Sequence, residues 1–157
     1  MTEDFPEISR LIPHRDNMMM LDRVLAAAEE SLSATVTITS QSMFFDEHQN
    51  AVGAWIGIEY MAQAIAAFEG LQALQRDEPV KVGFLLGSRR YESHCSGFML
   101  GSVLRVDVQR VVEHSNGLAA FECSISESDK LLVTATVTVF KPVDVHQFLK
   151  SANEILK

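Results

Sequence analysis

Hydrophobic and polar positions follow two rhythms along this chain. From Ala51 to Phe68 they scarcely alternate: Glu59 is the only charged residue in that run, and both flanks are polar. Such a pattern predicts one helix, from about Gly53 to Gln75, sunk in a core rather than laid on a surface. Small residues recur along it (Ala51, Gly53, Ala54, Gly57, Ala62, Ala64, Ala66, Ala67), which lets other backbone approach closely. A glycine in an exposed helix interior costs about 1 kcal/mol relative to alanine, so Gly57 is assigned to close packing. Elsewhere the rhythm has period two. Ser33–Thr39 alternates as a half-buried strand, and Met18–Ala28, interrupted by Asp22 and Arg23, reads as a strand before it, with Glu29 and Glu30 at the turn. After the RDEP break come strands over Val80–Arg90, Gly101–Val112, Leu118–Ser126 and Leu131–Phe140. Phe5–Ile12 predicts a short helix ended by Pro13, and Val143–Leu156 a modest surface helix beyond Pro142.

Two strands, one long buried helix and four more strands joined by short turns imply an α+β fold. The sheet is antiparallel and curved, and it wraps around one long central helix, the hotdog arrangement. Residues 1–157 form a single domain, with its core from about residue 11 to 142. A curled sheet of this kind leaves an edge open, and pairing with a second copy would continue it, so a dimer is expected.

Composition narrows the function classes. At 157 residues, 47% apolar and 22% charged, the chain can bury a proper core without disulfide or metal staples. A formal net charge of −8 argues against nucleic acid as a general partner. Cys95 and Cys123 lack CxxC spacing and read as reduced residues of a cytoplasmic protein. The acidic N-terminus has no apolar stretch of the signal-peptide kind. Ala51–Phe68 is of membrane length, but Glu59 and Gln63 at its centre make a buried helix of a soluble protein much the better reading than a membrane span.

Glu59 then stands out, because a carboxylate in an apolar helix must be paired, protonated or used. His48, in the loop feeding the helix, completes a candidate acid–base pair. Gln63 lies one turn after Glu59 on the same face, within hydrogen-bonding reach of its carboxylate. His14 and Arg15 read as turn-forming residues, and Met18–Met20 as adaptable apolar packing. His94, His114 and His146 show no metal-ligand spacing and read as surface residues; no metal site is expected.

Several strings resemble the FabZ-type β-hydroxyacyl-acyl carrier protein dehydratases. LIPHR (Leu11–Arg15) followed by LDRV (Leu21–Val24) is similar to that family's entry signature. EYMAQ (Glu59–Gln63) is similar to its central-helix E-A-M-A-Q, and VGFLL (Val82–Leu86) to the strand that follows. The strings lie in the family's order and the strand pattern continues to Pro142, so the resemblance covers about nine-tenths of the chain. The chain departs from the family after His48, where Gln49-Asn50-Ala51-Val52 replaces Phe-Pro-Gly and Gly53-Ala54 stands in place of a second Pro-Gly.

The resemblance implies dehydration of a β-hydroxyacyl thioester, in fatty-acid or polyketide- and polyene-type biosynthesis. His48 would take the C2 proton. Glu59, kept protonated by burial, would protonate the departing C3 hydroxyl. A backbone N–H near Gly53 or Ala54 at the helix N-terminus would hold the thioester oxygen. The substrate would arrive on the phosphopantetheine arm of acyl carrier protein, with no metal or redox cofactor. The acidic carrier would dock on Arg89 and Arg90, with Lys81 a weaker contact. The family draws its two catalytic side chains from different subunits, which implies a homodimer or higher homo-oligomer, or a heterodimer with a second dehydratase. Two rivals are a hotdog acyl thioesterase, which needs no loop histidine, and a non-catalytic partner subunit.

Overall fold

A computed structural model of the protein describes residues 4–79 and 84–141. Six strands form one antiparallel sheet in the order β1-β2-β7-β8-β9-β5. These are β1 (Arg23–Ala27), β2 (Ser31–Thr37), β5 (Phe84–Ser93), β7 (Val103–Glu113), β8 (Leu118–Glu127) and β9 (Lys130–Phe140). A second sheet of three very short strands, β3 (Phe45–Asp46), β4 (Ala51–Gly53) and β6 (Gly97–Met99), closes one end. The helix α1 (Gly57–Gln75) lies on the inner face of the large sheet, as the expected hotdog architecture requires.

The sheet's inner face follows from period-two alternation carried across the ladder. Ala34, Val106, Ile125 and Val133 form one cross-strand row, and Leu32, Val108, Cys123 and Ala135 a second. All eight are buried against the helix layer. From the helix side Tyr60, Met61, Ala64, Ile65, Ala67, Phe68 and Leu71 meet them. Phe68 packs edge-on against Phe121, with ring centroids 5.6 Å apart.

Glycine sets how close the helix can come. A Cβ on Gly57 would collide with the Tyr91 hydroxyl, and one on Gly70 with the backbone carbonyl of Leu11. The first is the close packing expected for Gly57. The second brings the N-terminal segment down onto the helix.

The differences from the sequence reading have physical causes. The expected helix at Phe5–Ile12 is a single 3-10 turn, Ile8–Arg10, since Pro13 leaves too little chain for a stable α-helix. Met18 belongs to another 3-10 turn, Asp16–Met18, and the first strand starts only at Arg23. The long helix begins as a 3-10 turn, Ala54–Ile56, before its α-helical part at Gly57, and ends at Gln75 as expected. The three short strands are too brief to display a period. Val80–Gly83, Lys81 among them, and the proposed C-terminal helix with His146 lie outside the described residues. No helix among the described residues is long and apolar enough to cross a membrane.

Gly70→Ala should destabilise the protein by about 1–3 kcal/mol, because the clash is with backbone that has nowhere to move; a lowered thermal midpoint checks it. Burial pushes Tyr60, Tyr91 and Cys123 up to about 12 each, with Tyr91 beside Tyr60, Cys95 beside Tyr91 and Glu122 beside Cys123 adding to the effect. The folded state keeps these protons where the unfolded chain loses them, so their contribution is complete below pH about 9 and lost as pH rises towards about 12. Denaturant titrations should show stability falling across that window, less steeply in Cys123→Ala.

Candidate active site

Glu59 occupies the first turn of α1, where a carboxylate also meets the positive end of the helix dipole. Its neighbour Gln63 is wholly buried and fully used. Gln63 Nε2 donates to the Met18 carbonyl at 2.6 Å and to Glu59 Oε1 at 3.2 Å, while Gln63 Oε1 accepts the Met20 N–H at 2.8 Å. The amide therefore ties the Met18–Met20 segment to the helix and holds one oxygen of Glu59. The hydrogen bond expected between Gln63 and Glu59 is present.

The burial expected for Glu59 is not. Its side chain is 35% exposed, because the first turn of α1 emerges from the apolar layer. A partner comes from an unexpected direction: His14 Nε2 lies 3.7 Å from Glu59 Oε1. His14 was read as a turn residue, and only Arg15 behaves purely as one. Arg15 Nη1 donates to the carbonyls of Ile12 (2.8 Å) and His14 (2.7 Å), bracing the turn from within. Forty-five positions separate His14 from Glu59, and no local spacing links them. The only sequence signal was that LIPHR and EYMAQ occur together.

His48 sits elsewhere. β3 and β4 form a hairpin, pairing Phe45 with Val52 and Asp46 with Ala51, and His48 lies in its four-residue loop. Asp46 Oδ1 accepts the N–H groups of His48 (2.9 Å) and Gln49 (3.3 Å), and Asn50 takes a left-handed backbone with φ of 55°. An aspartate-capped turn thus does locally what proline and glycine would otherwise do. His48 is exposed and lines a cleft of about 730 Å³ with Phe44, Phe45, Trp55 and Met99. The Phe44 and Trp55 rings, both largely exposed, stand 5.4 Å apart at its wall. Glu59 does not line this cleft, and no hydrogen bond or ion pair joins it to His48. Within one chain the expected acid–base pair is not assembled.

The backbone donor expected at Ala54 is corrected too, because the Ala54 N–H is spent on the Ser96 carbonyl at 3.3 Å. Gly53 lies in β4 opposite Gly97, with the Trp55 indole nitrogen 2.5 Å from where its Cβ would stand. The 3-10 geometry of Ala54–Ile56 turns the Ile56 N–H back towards Gly53. The N–H of Trp55 then remains the donor of that turn without an acceptor among the described residues. Tyr91 donates its hydroxyl proton to the Ala54 carbonyl and pins the start of the helix from the β5 side.

Arg89 and Arg90 are exposed in the middle of β5, which runs on past them to Ser93, and Arg90 sits at a bulge with φ of 56°. Neither makes an ion pair or hydrogen bond among the described residues. By contrast Arg105 meets Asp107, Arg110 meets Glu30 and Glu113, and Lys141 meets Glu69. Among the described residues no cluster of three histidine, cysteine, aspartate or glutamate side chains could hold a metal ion.

The family model for ApeP-like proteins, described as ApeP dehydratase, matches residues 6–150. The chain belongs to the ApeP-like dehydratase family. A 3-hydroxyacyl-[acyl-carrier-protein] dehydratase FabZ of Pseudothermotoga lettingae is 29% identical over 134 residues, covering 85% of this chain and 92% of that protein. Among solved structures, the dehydratase heterocomplex ApeI:P from Xenorhabdus doucetiae superposes with a TM-score of 0.87 at 25% identity, covering 96% of this chain and 99% of that one. A hypothetical thioesterase of Streptococcus pneumoniae with coenzyme A reaches a TM-score of 0.60 at 13% identity, over 76% of this chain and 84% of that one, a likeness of fold alone. The dehydratase class implied by LIPHR and EYMAQ is therefore the class found. In this ApeP-like dehydratase Glu59 and Gln63 stand on the helix that the whole family match spans.

Replacing Gln63 by leucine should destabilise the protein by about 1–3 kcal/mol, since the Met20 N–H and Met18 carbonyl lose their only side-chain partner. A denaturant midpoint checks this, and Gln63→Glu should lower it as well by bringing a second carboxylate to Glu59.

Proposed function

We propose that this ApeP-like dehydratase removes water from a β-hydroxyacyl thioester carried on the phosphopantetheine arm of acyl carrier protein, giving the trans-2-enoyl thioester. The observation that carries the reading is the fixed, half-open carboxylate of Glu59, clamped through one oxygen by a buried amide on a family-matched helix. Glu59 protonates the C3 hydroxyl as the C3–O bond breaks and water leaves. The C2 proton passes to a histidine, and the electron pair it leaves behind becomes the C2=C3 bond. The Trp55 N–H, or that of Gly53 beside it, faces the developing charge on the thioester oxygen from the helix's positive end. The histidine then gives its new proton to solvent and Glu59 takes one up, which restores both groups for the next turnover.

His48 is the base in this reading, and it meets Glu59 across a subunit boundary. Two features support an assembly of that kind. His48 and Glu59 are separated within one chain. Among the described residues nothing pairs with the outer side of β5, which runs ten residues with Leu85 and Leu86 exposed, whereas the opposite edge strand, β1, is short and bulged. An unpaired, partly apolar edge is a place for another chain to continue the sheet. That chain is a second copy or a homologous dehydratase, as in the ApeI:P heterocomplex. Arg89 and Arg90, without a partner among the described residues, would supply positive charge for an acidic carrier on a chain whose total is −8. The cytoplasm is the compartment in which such carriers would be met.

Enoyl formation from a β-hydroxyacyl carrier-protein thioester tests this, with wild type compared against His48→Ala and Glu59→Gln. Turnover by wild type and a fall of about a hundredfold or more in both variants supports the assignment. Release of free thiol without enoyl product would instead identify a thioesterase. If only His48→Ala retains activity, His48 is not the base.

A further inference from the structure

We propose that His14 is a positioning residue for Glu59, holding with Gln63 one oxygen of the carboxyl so that the other delivers the proton. This rests on the reading of Glu59 as the acid. Glu59 Oε1 accepts from Gln63 Nε2 at 3.2 Å and faces His14 Nε2 at 3.7 Å, so both nitrogens converge on the same oxygen. No hydrogen bond or ion pair among the described residues engages Oε2. The His14–Glu59 separation exceeds a formed hydrogen bond, but contacts of this kind commonly close only when substrate is bound.

The imidazole's other nitrogen fixes the direction of donation. His14 Nδ1 is buried without a hydrogen-bond partner. A proton there would have no acceptor, whereas one on Nε2 faces a carboxylate, so the geometry places the ring proton on Nε2. The turn that carries the ring is held from two sides. The Leu11 carbonyl sits against Gly70 of the helix, and the His14 carbonyl takes the Arg15 guanidinium at 2.7 Å. With Gln63 donating to Oε1 and His14 closing on the same oxygen, a proton on the carboxyl belongs on Oε2, the oxygen open to a substrate hydroxyl. His14 contributes by orientation and need not touch the substrate.

Two substitutions separate the ring positions. Asparagine puts a polar atom near Nδ1 and none near Nε2; glutamine reaches the place of Nε2. His14→Asn should lower kcat for enoyl formation about tenfold with KM unchanged, the size of loss that misplacing a reacting group by less than 1 Å produces. His14→Gln should recover most of that loss. In a Glu59→Gln background His14→Asn should cost nothing further, because the two act as a unit. The proposal is overturned if His14→Asn is as fast as wild type, if His14→Gln is as slow as His14→Asn, or if His14→Asn slows Glu59→Gln further, as it would if His14 met the substrate itself.

Absence of enoyl product from wild type, or full activity of Glu59→Gln, would remove the acid assignment instead. The pairing is then decided by the imidazole nitrogen resonances of His14. A protonated Nε2 and bare Nδ1, with an Nε2 signal that moves in Glu59→Ala while His94 and His114 stay put, supports it. An Nε2 signal indifferent to Glu59 refutes it.

Discussion

A polar group inside an apolar layer must find all its partners there, and in this molecule that constraint falls on Gln63. The residue has no exposed surface, and three hydrogen bonds engage its side chain. Two of them go to the backbone on either side of Met19, so the segment after the 3-10 turn cannot shift without stranding a buried amide, at a cost of about 1–3 kcal/mol. The third fixes Glu59. The same bonds therefore set where the N-terminal segment lies and which way the carboxylate points. Gly70, pressed under the Leu11 carbonyl, makes that close approach sterically feasible. His14, three residues beyond Leu11, reaches Glu59 as a consequence.

The large sheet and the long helix were legible because each is written with a sustained period. β7 through β9 alternate over ten or eleven residues, and the helix runs nineteen residues with a single acid between Gly57 and Phe68. The small sheet left no such mark, since strands of two or three residues show no rhythm. At the site, Gln63 beside Glu59 was readable from helical spacing. His14 beside Glu59 was not. Contacts made by a turn folding back over a helix depend on where the chain travels between them, and no residue pattern encodes that directly. The error over Glu59 has the same origin: composition said the helix was buried, but only packing says which end of it surfaces.

The loop around His48 shows how one local geometry can be reached by different means. Proline and glycine restrict or release backbone angles, while Asp46 captures two successive N–H groups and Asn50 accepts a left-handed backbone. The hairpin is held by the strand pairing of Phe45 and Asp46, so the absence of Pro-Gly leaves it ordered. What the hairpin does not do is turn His48 towards Glu59 of its own chain. His48 lies in the cleft lined by Phe44 and Trp55, whereas Glu59 stands beside His14 and Gln63.

That separation gives the free edge of the sheet its importance. A strand of ten residues with adjacent exposed leucines is unfavourable to leave in water and prone to unwanted pairing. Natural edges are usually shortened, bent or charged; β1 is short and bulged, and β5 is bulged twice and carries Arg89 and Arg90. These devices discourage indiscriminate extension while leaving Leu85 and Leu86 for a chain of matching shape. Tyr91 reaches from this same strand to the carbonyl of Ala54, so the edge is mechanically joined to the turn that opens the helix. A chain docking on β5 would consequently press on the helix start, one turn before Glu59 and beside the Trp55 N–H. An assembly built on β5 would thus reach the start of the helix through the Tyr91 hydroxyl.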